Sequence, residues 1–379
     1  MSAATGPTVE ILPGVDAVPA ETWDALAPPH DPMWGREVFV AMERGAIGPD
    51  GYAYAVVREA GRTLGVLPLA AVHGLRLDRI VGERERRMLA PVGRWCPGLL
   101  RVPMLFCGNF LGQGHVLGRE PLPEPVAELL VRTVLTHARR HRLGTVVFKD
   151  FAPDELAPLR PALEAAGFFE VVSMPDTELA LGYGSFEEYV AALPAKARRN
   201  VRSKVRKFAA RDDLRIEVLA DFVSLVPDML ELYGQVMARA DQTLDVLDAS
   251  FLRALHRPDG PEQRLVACFE GDRLVAFLLC LFRGDGAIGA RIGLDYRLAH
   301  GAHLYHHVHY AAIELAIARG CRHIRFAQTA YEPKRELGCA LVEQRYALTH
   351  VRPLPRAVLR RLLPAALGSA LARTLAPRS

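Results

Sequence analysis

One order of elements is written twice along the chain, and a repeat of this kind leaves few folds open. The stretch GYAYAVVREAGRTLGVLPLAAVHG, from Gly51, reads as strand, tight turn, strand, with alternating and β-branched residues on either side of an Ala-Gly turn. EQRLVACFEGDRLVAFLLCLFRGDG, from Glu262, reads the same way around Gly271-Asp272. A further apolar strand, a helix and a strand follow each hairpin. In the first half they fall near Leu100 to Phe110, Pro125 to His141 and Thr145 to Phe151; in the second, near Ala287 to Asp295, Ala302 to Arg319 and His323 to Gln328. Apolar spacing marks the helices (Leu129, Val131, Leu135 and Ala138; Val308, Ala312, Leu315 and Ala316), and Gly144 and Gly320 mark their ends. The pattern predicts an α/β (α+β) chain of two tandem units, each a mixed, mostly antiparallel sheet flanked by helices. LGYGS breaks it, which sets the units at 1–183 and 184–352 and leaves a basic amphipathic tail at 353–379.

Composition narrows the function classes. Half of the 379 residues are hydrophobic and about a quarter are charged, as in a folded soluble protein. No apolar run reaches the roughly 20 residues of a membrane span, and MSAATGPTVE lacks the features of a signal peptide. A cytoplasmic location is the expectation. The six cysteines are scattered without a CxxC pair, which argues for reduced thiols in apolar runs and against a structural zinc site. A net charge of +4 does not mark a dedicated nucleic-acid binder.

HGAHLYHHVHY, residues 300–310, holds five of the thirteen histidines. His303 and His307 have zinc-compatible spacing, but no HExxH glutamate or cysteine pair accompanies them, so no metal site is expected. More informative is the loop LDYRLAHGAH before the helix. A helix N-terminus with Gly301 beside it can hold phosphate, and Arg297 adds a forked donor. An ordinary loop with a flexible glycine reads as well.

Four stretches of the second half resemble the GNAT acetyltransferase superfamily, and in particular its Fem-like and CelD-like (cellulose-biosynthesis-associated) branch. They are LPAKARRNVRSKVRKFAARDDLRIEVL, LYGQVMARA, LYHHVHYAAIELAIARGCRHIRFAQ and AYEPKRELGC, the last a Tyr-x-x-Lys-Arg-x-x-Gly motif. The likeness covers about residues 185 to 350 and reaches the first half through the shared strand-helix order. Between Arg297 and Gly301 the chain has one residue more than the usual acyl-CoA loop. The resemblance implies an acyl donor, acyl-CoA such as acetyl-CoA, in the cleft between the strand ending near Asp295 and the strand ending near Gln328. Arg297, His300, Gly301, Ala302 and Gln328 would then border the donor.

N-acylation must align an amine with an activated carbonyl, remove a proton and stabilise an oxyanion. His303 and Asp295 are the base candidates, His303 first because imidazole titrates nearest working pH. Lys334 would polarise the carbonyl or neutralise an anion, and Tyr331 would protonate the leaving group. For Tyr331, Glu332, Lys334 and Arg335, a solvated turn with ordinary ion pairs is an equal reading. From Lys196 to Arg211 there are eight basic residues and no acid, with Leu193, Ala197, Val201, Val205 and Phe208 on one helical stripe. Such a face would suit CoA phosphates, tRNA or lipid head groups, or is simply solvated. In the tail, Pro364 and Gly368 are expected to interrupt a long helix, while its arginines would suit peripheral contact with the inner face of a membrane.

Three functions are consistent with these features. The first is an acyl-CoA-dependent N-acyltransferase acting on an amine of a small molecule or a cell-envelope precursor. The second is a Fem-type ligase that draws its aminoacyl group from charged tRNA. The third is a non-catalytic protein that binds an anionic surface.

Overall fold

In the computed structural model, residues 6–76, 94, 101–239, 244–256 and 262–376 are described. Leu100 at the head of an expected strand, Cys96 and residues 377–379 of the tail lie outside them.

The chain forms two seven-stranded sheets. The first has the order β1-β2-β3-β4-β5-β14-β6, the second β13-β7-β12-β11-β10-β9-β8. In chain order the strands are β1 (Thr8–Leu12), β2 (Gly51–Glu59), β3 (Arg62–Arg76), β4 (Arg101–Cys107), β5 (Thr145–Phe151), β6 (Phe169–Val172) and β7 (Asp176–Ala180). Then come β8 (Leu214–Leu219), β9 (Glu262–Glu270), β10 (Arg273–Arg283), β11 (Gly286–Leu294), β12 (His323–Arg325), β13 (Ala340–Val342) and β14 (Arg345–His350). The expected hairpins are β2–β3 and β9–β10, both antiparallel. At their tips Ala60, Gly61 and Gly271 take positive φ, the geometry of a tight two-residue turn. Among the described residues the parallel pairs are β4–β5 and β11–β12.

Two strands cross the boundary expected at 183/184. β7 leaves the first unit and pairs between β12 and β13 of the second sheet. β14 returns from the second unit and pairs between β5 and β6 of the first. Each unit therefore donates its last strand to the other's sheet.

Five layers result. The helices are α1 (Ala20–Leu26), α2 (Arg36–Arg44), α3 (Glu124–Arg140), α4 (Pro153–Leu156), α5 (Arg160–Ala165), α6 (Phe186–Ala192) and α7 (Ala195–Ala209). They continue with α8 (Val226–Met237), α9 (Ala249–Leu255), α10 (Leu304–Ala318), α11 (Tyr331–Glu336) and α12 (Pro353–Leu375). A core containing Leu130, Val134, Phe148 and Phe168 lies between α3–α5 and the outer face of the first sheet. A middle core shared by both sheets joins Trp23, Phe39, Tyr54 and Phe106 to Met229, Phe251, Phe277 and Leu279. A third, with Val190, Val201, Leu278, Val308 and Ile324, lies between the second sheet and α6, α7 and α10. β10 is buried along nearly its whole length, as a strand covered on both faces must be. α12 runs unbroken for 23 residues through Pro364 and Gly368 and packs on β6 and β14, correcting the expected interruption. Pro364 is exposed, so water can satisfy the carbonyl that its missing N–H leaves open. No helix among the described residues is long and apolar enough to cross a membrane.

Candidate active site

The two parallel pairs are alike in register and differ beyond their last paired residues. β4 and β5 are joined from Met104↔Thr145 to Cys107↔Phe148, and then part. The gap is filled by the chain itself: Gly114 bridges to Phe151, and its N–H donates to the Asp150 carbonyl at 2.8 Å. Only glycine fits there, because a Cβ would lie 2.2 Å from the Lys149 carbonyl oxygen. β11 and β12 are joined over three residues, Gly286–Ile288 against His323–Arg325. Among the described residues no backbone segment bridges Gly289–Leu294 to the chain beyond Arg325. In the second unit this opening between the backbones stays unbridged, and the Phe326 ring lies against Gly289 at its inner end.

At one end of this opening the chain turns through Asp295 to His303 into α10. Asp295 is buried and accepts from Arg297 Nη2 at 2.7 Å, Arg273 Nη1 at 2.8 Å and the Arg297 N–H at 3.0 Å. The hydrogen bond from Arg297, helped by Arg273, holds its carboxyl at about 2. An anion so stabilised has little basicity, and the geometry makes Asp295 a brace for the loop. The same bonds turn the Arg297 guanidinium onto Asp295. The amides of Leu298, Ala299, Ala302 and Leu304 are spent on carbonyls of the loop itself. His300 and Gly301 are exposed, Ala302 is buried, and nothing lies within 4 Å of a Cβ built on Gly301. His303 is the N-cap of α10, in the left-handed region at φ 52°. It is half-buried, and burial with the charges of Lys204 and Lys207 lowers its pKa.

The other histidines serve the helix. α10 is buried on most sides. His307 stacks on Phe208 of α7 at 4.1 Å between ring centroids. His309 bonds through Nδ1 to the Tyr305 carbonyl at 2.7 Å, and burial pushes its pKa down to about 3. His306 Nε2 lies 2.8 Å from Lys204 Nζ, which also donates to Glu336 Oε2 at 3.0 Å, tying α7, α10 and α11 together. Burial and Lys204 hold His306 at about 4. Among the described residues no group of three or more His, Cys, Asp and Glu is placed to hold a metal ion.

Across the opening, α11 carries Tyr331 and Lys334, and both are buried. Lys334 Nζ donates to the carbonyls of Phe326, Ala327 and Gln328 at 2.6, 2.9 and 3.0 Å. Its three N–H groups are thereby used, and burial lowers its pKa to about 8. Tyr331 Oη donates to the Pro175 carbonyl at 2.8 Å, and burial raises its pKa to about 12. The Tyr-x-x-Lys pair thus clamps the chain end of β12 and the crossover into β7. Gln328 Nε2 faces three acceptors, Asp150 Oδ1 at 3.1 Å, the Met174 carbonyl at 2.9 Å and Gln344 Oε1 at 2.8 Å.

Gln328 belongs to a buried polar network between the units that the sequence alone did not reveal. Lys149 pairs with Asp150, which also accepts from Ser173. Buried Arg325 pairs with Asp31 and lies 3.6 Å from Asp176. Burial pushes the Asp176 carboxyl up against the pull of Arg325. One signal was available: Lys149 is among only five lysines, and it stands next to an aspartate inside an apolar strand.

Comparison with known proteins agrees with this architecture. Residues 195–335 match the family model of the acetyltransferase (GNAT) domain. A search of curated proteins found no match. Among solved structures, FemX is similar at a TM-score of 0.57 and 11% identity, covering 93% of this chain and 99% of that one. L-PGS from Bacillus licheniformis gives 0.54 and 11%, covering 95% and 99%. A tandem GNAT protein from the clavulanic acid biosynthesis pathway gives 0.52 and 15%, covering 91% and 99%. At such identities the likeness concerns the fold. The second unit is an acyltransferase domain of the GNAT superfamily, and the chain as a whole has the tandem, Fem-like fold.

Proposed function

We propose that the chain transfers an acyl group from acyl-CoA to an amine, by direct attack of the amine on the acyl carbonyl. One observation carries this reading: β11 and β12 part in the second unit and stay unbridged, whereas Gly114 closes the same gap in the first. The basic residues of α7, next to the first turn of α10, supply charge for the donor's phosphates. Arg297 and the Gly301 loop line the mouth of the opening, with His303 as the base candidate at the surface. Lys334 and Tyr331 act in this reading by holding the end of β12 and not by touching the acyl group. Isothermal titration with acetyl-CoA and longer acyl-CoAs tests the proposal: at least one is expected to bind saturably, and no binding by any of them would sink it.

A specific observation favours a second donor, charged tRNA. Lys196, Arg199, Arg202, Arg206 and Lys207 are exposed on α7, and their side chains form no ion pair or hydrogen bond among the described residues. They extend over about 17 Å of helix, a length better matched to a polynucleotide backbone than to one diphosphate. Transfer of a labelled aminoacyl group that disappears on ribonuclease treatment would select this donor over acyl-CoA.

A further inference from the structure

The segment that closes the gap in the first unit also builds a pocket. Around Gly114, Gln113, His115 and Arg119 face Ala25–Pro29 and Asp31 across a cavity of about 480 Å³, with Ala152 and Glu155 also lining it. That volume lies within the range of small-ligand sites. The cavity's polar groups are Asp31, Gln113, His115, Arg119 and Glu155, and Trp34 contributes an aromatic wall.

His115 is held as a base is held. Its Nδ1 lies 2.5 Å from Glu155 Oε2, and its ring meets Trp34 edge-on, with centroids 5.7 Å apart. Trp34 is itself fixed: it is buried, and its carbonyl accepts from Trp23 Nε1 at 2.9 Å. A carboxylate on Nδ1 selects the tautomer in which Nδ1 carries the proton and Nε2 is the acceptor. Among the described residues Nε2 has no partner. Gln113 spends its amide N–H on Asp176 at 2.9 Å, which leaves its carbonyl oxygen as a further acceptor. Arg119 is exposed; among the described residues its one bond runs from Nε to the Ala25 carbonyl at 3.4 Å, and its terminal nitrogens have no partner there. Acceptors and carboxylates therefore line the cavity, and one cation stands at its surface.

We infer that this cavity binds a small primary amine that also carries a carboxylate or phosphate. The ammonium meets His115, Gln113 and the carboxylates, and the anionic end reaches Arg119. One proton passes from R–NH3+ to His115 Nε2, leaving R–NH2 and an imidazolium whose Nδ1–H faces Glu155. Asp31 ties the cavity to the second unit, because it pairs with Arg325 at the end of β12. Ile324 and Phe326, on either side of Arg325, pack toward α10. The cavity thus adjoins the face of the second sheet turned away from α10. On the acyltransferase reading, on which this assignment of a role rests, the bound amine is the acceptor.

Saturation-transfer NMR on the full chain tests the inference with O-phosphoethanolamine, L-serine, ethanolamine and N-acetyl-L-serine as probes. The first two are expected to bind saturably, ethanolamine about tenfold more weakly, and the acetylated probe not at all. Arg119→Ala and His115→Gln should each weaken the binding about tenfold or more, with unchanged thermal melting. Arg119 is exposed, so its variant keeps the test valid if the histidine variant unfolds. Absence of binding by both zwitterionic probes, or binding that survives both substitutions, overturns the assignment. Titrating acetyl-CoA and longer acyl-CoAs into the wild type and the same variants separates the two readings. Amine binding without binding of any acyl-CoA leaves the cavity assigned and removes the acyl-CoA reading, and the reverse removes only the cavity.

Discussion

Lys334 reaches from α11 to the end of β12, where its Nζ donates to the Phe326 carbonyl at 2.6 Å. The Ala327 and Gln328 carbonyls complete its partners. Lys334→Met would leave three acceptors in a buried place without a donor. We expect a loss of about 3 kcal/mol or more in urea unfolding at pH 7. Because burial lowers the folded pKa to about 8, the unfolded chain holds this proton more tightly between there and the ordinary lysine value. The Lys334 contribution to stability therefore rises with pH across that interval, and the methionine variant should lose the rise.

The exchange of β7 and β14 predicts the behaviour of fragments. A chain of 184–379 lacks β7, so β12 and β13 have no strand between them. A chain of 1–183 lacks β14 and leaves β5 and β6 apart. Each fragment alone should fail to give a cooperative melt or dispersed amide NMR signals, while co-expression of the two should restore both. A fragment 184–379 that melts cooperatively by itself would contradict this.

His309 gives the fold a sensitivity to mild acid. Its folded pKa is about 3, mainly because it is buried, whereas the unfolded ring titrates near 6.5. Below 6.5 the unfolded state takes up a proton that the folded state refuses, so stability falls as pH falls through this window. At pH 5 the loss from this ring should be on the order of 1–2 kcal/mol relative to pH 7.5. Urea unfolding of wild type and His309→Phe at the two pH values checks it: the variant should show the smaller difference.

Asp295 has the opposite range. With its folded carboxyl held at about 2, its stabilising contribution is full above the ordinary aspartate value and is lost as pH falls toward 2. Asp295→Asn should cost about 1–3 kcal/mol at pH 7 and flatten the acid limb between pH 4 and 2. It should also loosen Arg297, while Arg273 keeps its pair with Glu270. If the Arg297 loop borders the donor, acyl-CoA affinity will change with it; an unchanged affinity would place that loop outside the donor site.

Local patterns made much of this fold legible. The Ala60-Gly61 and Gly271 turns announce two hairpins, and the strands and helices after them appear where their apolar periods place them. Sheet membership was not legible, because β7 and β14 have the same alternation whichever sheet receives them; pairing is decided by partners more than a hundred residues away. The histidines of 300–310 drew attention as a cluster, yet His307 and His309 are buried, His307 against Phe208 of α7 and His309 against Phe326 at the end of β12. Lys334 was marked by the scarcity of lysine, but scarcity does not say whether an ammonium points outward or caps carbonyls. Asp31 and His115 gave no signal: the cavity they line depends on Gly114 fitting against Lys149, a contact between segments that no spacing rule connects.

The traded strands also set a timetable for synthesis. The first sheet lacks an inner strand until residues 345–350 have left the ribosome, long after β5 has emerged. Until then β5 waits with an unpaired edge, and the first unit cannot commit to its final form in the usual domain-by-domain order. A cell making this protein must shelter that edge until β14 emerges, and termination anywhere before β14 leaves the first sheet as well as the second unit unfinished.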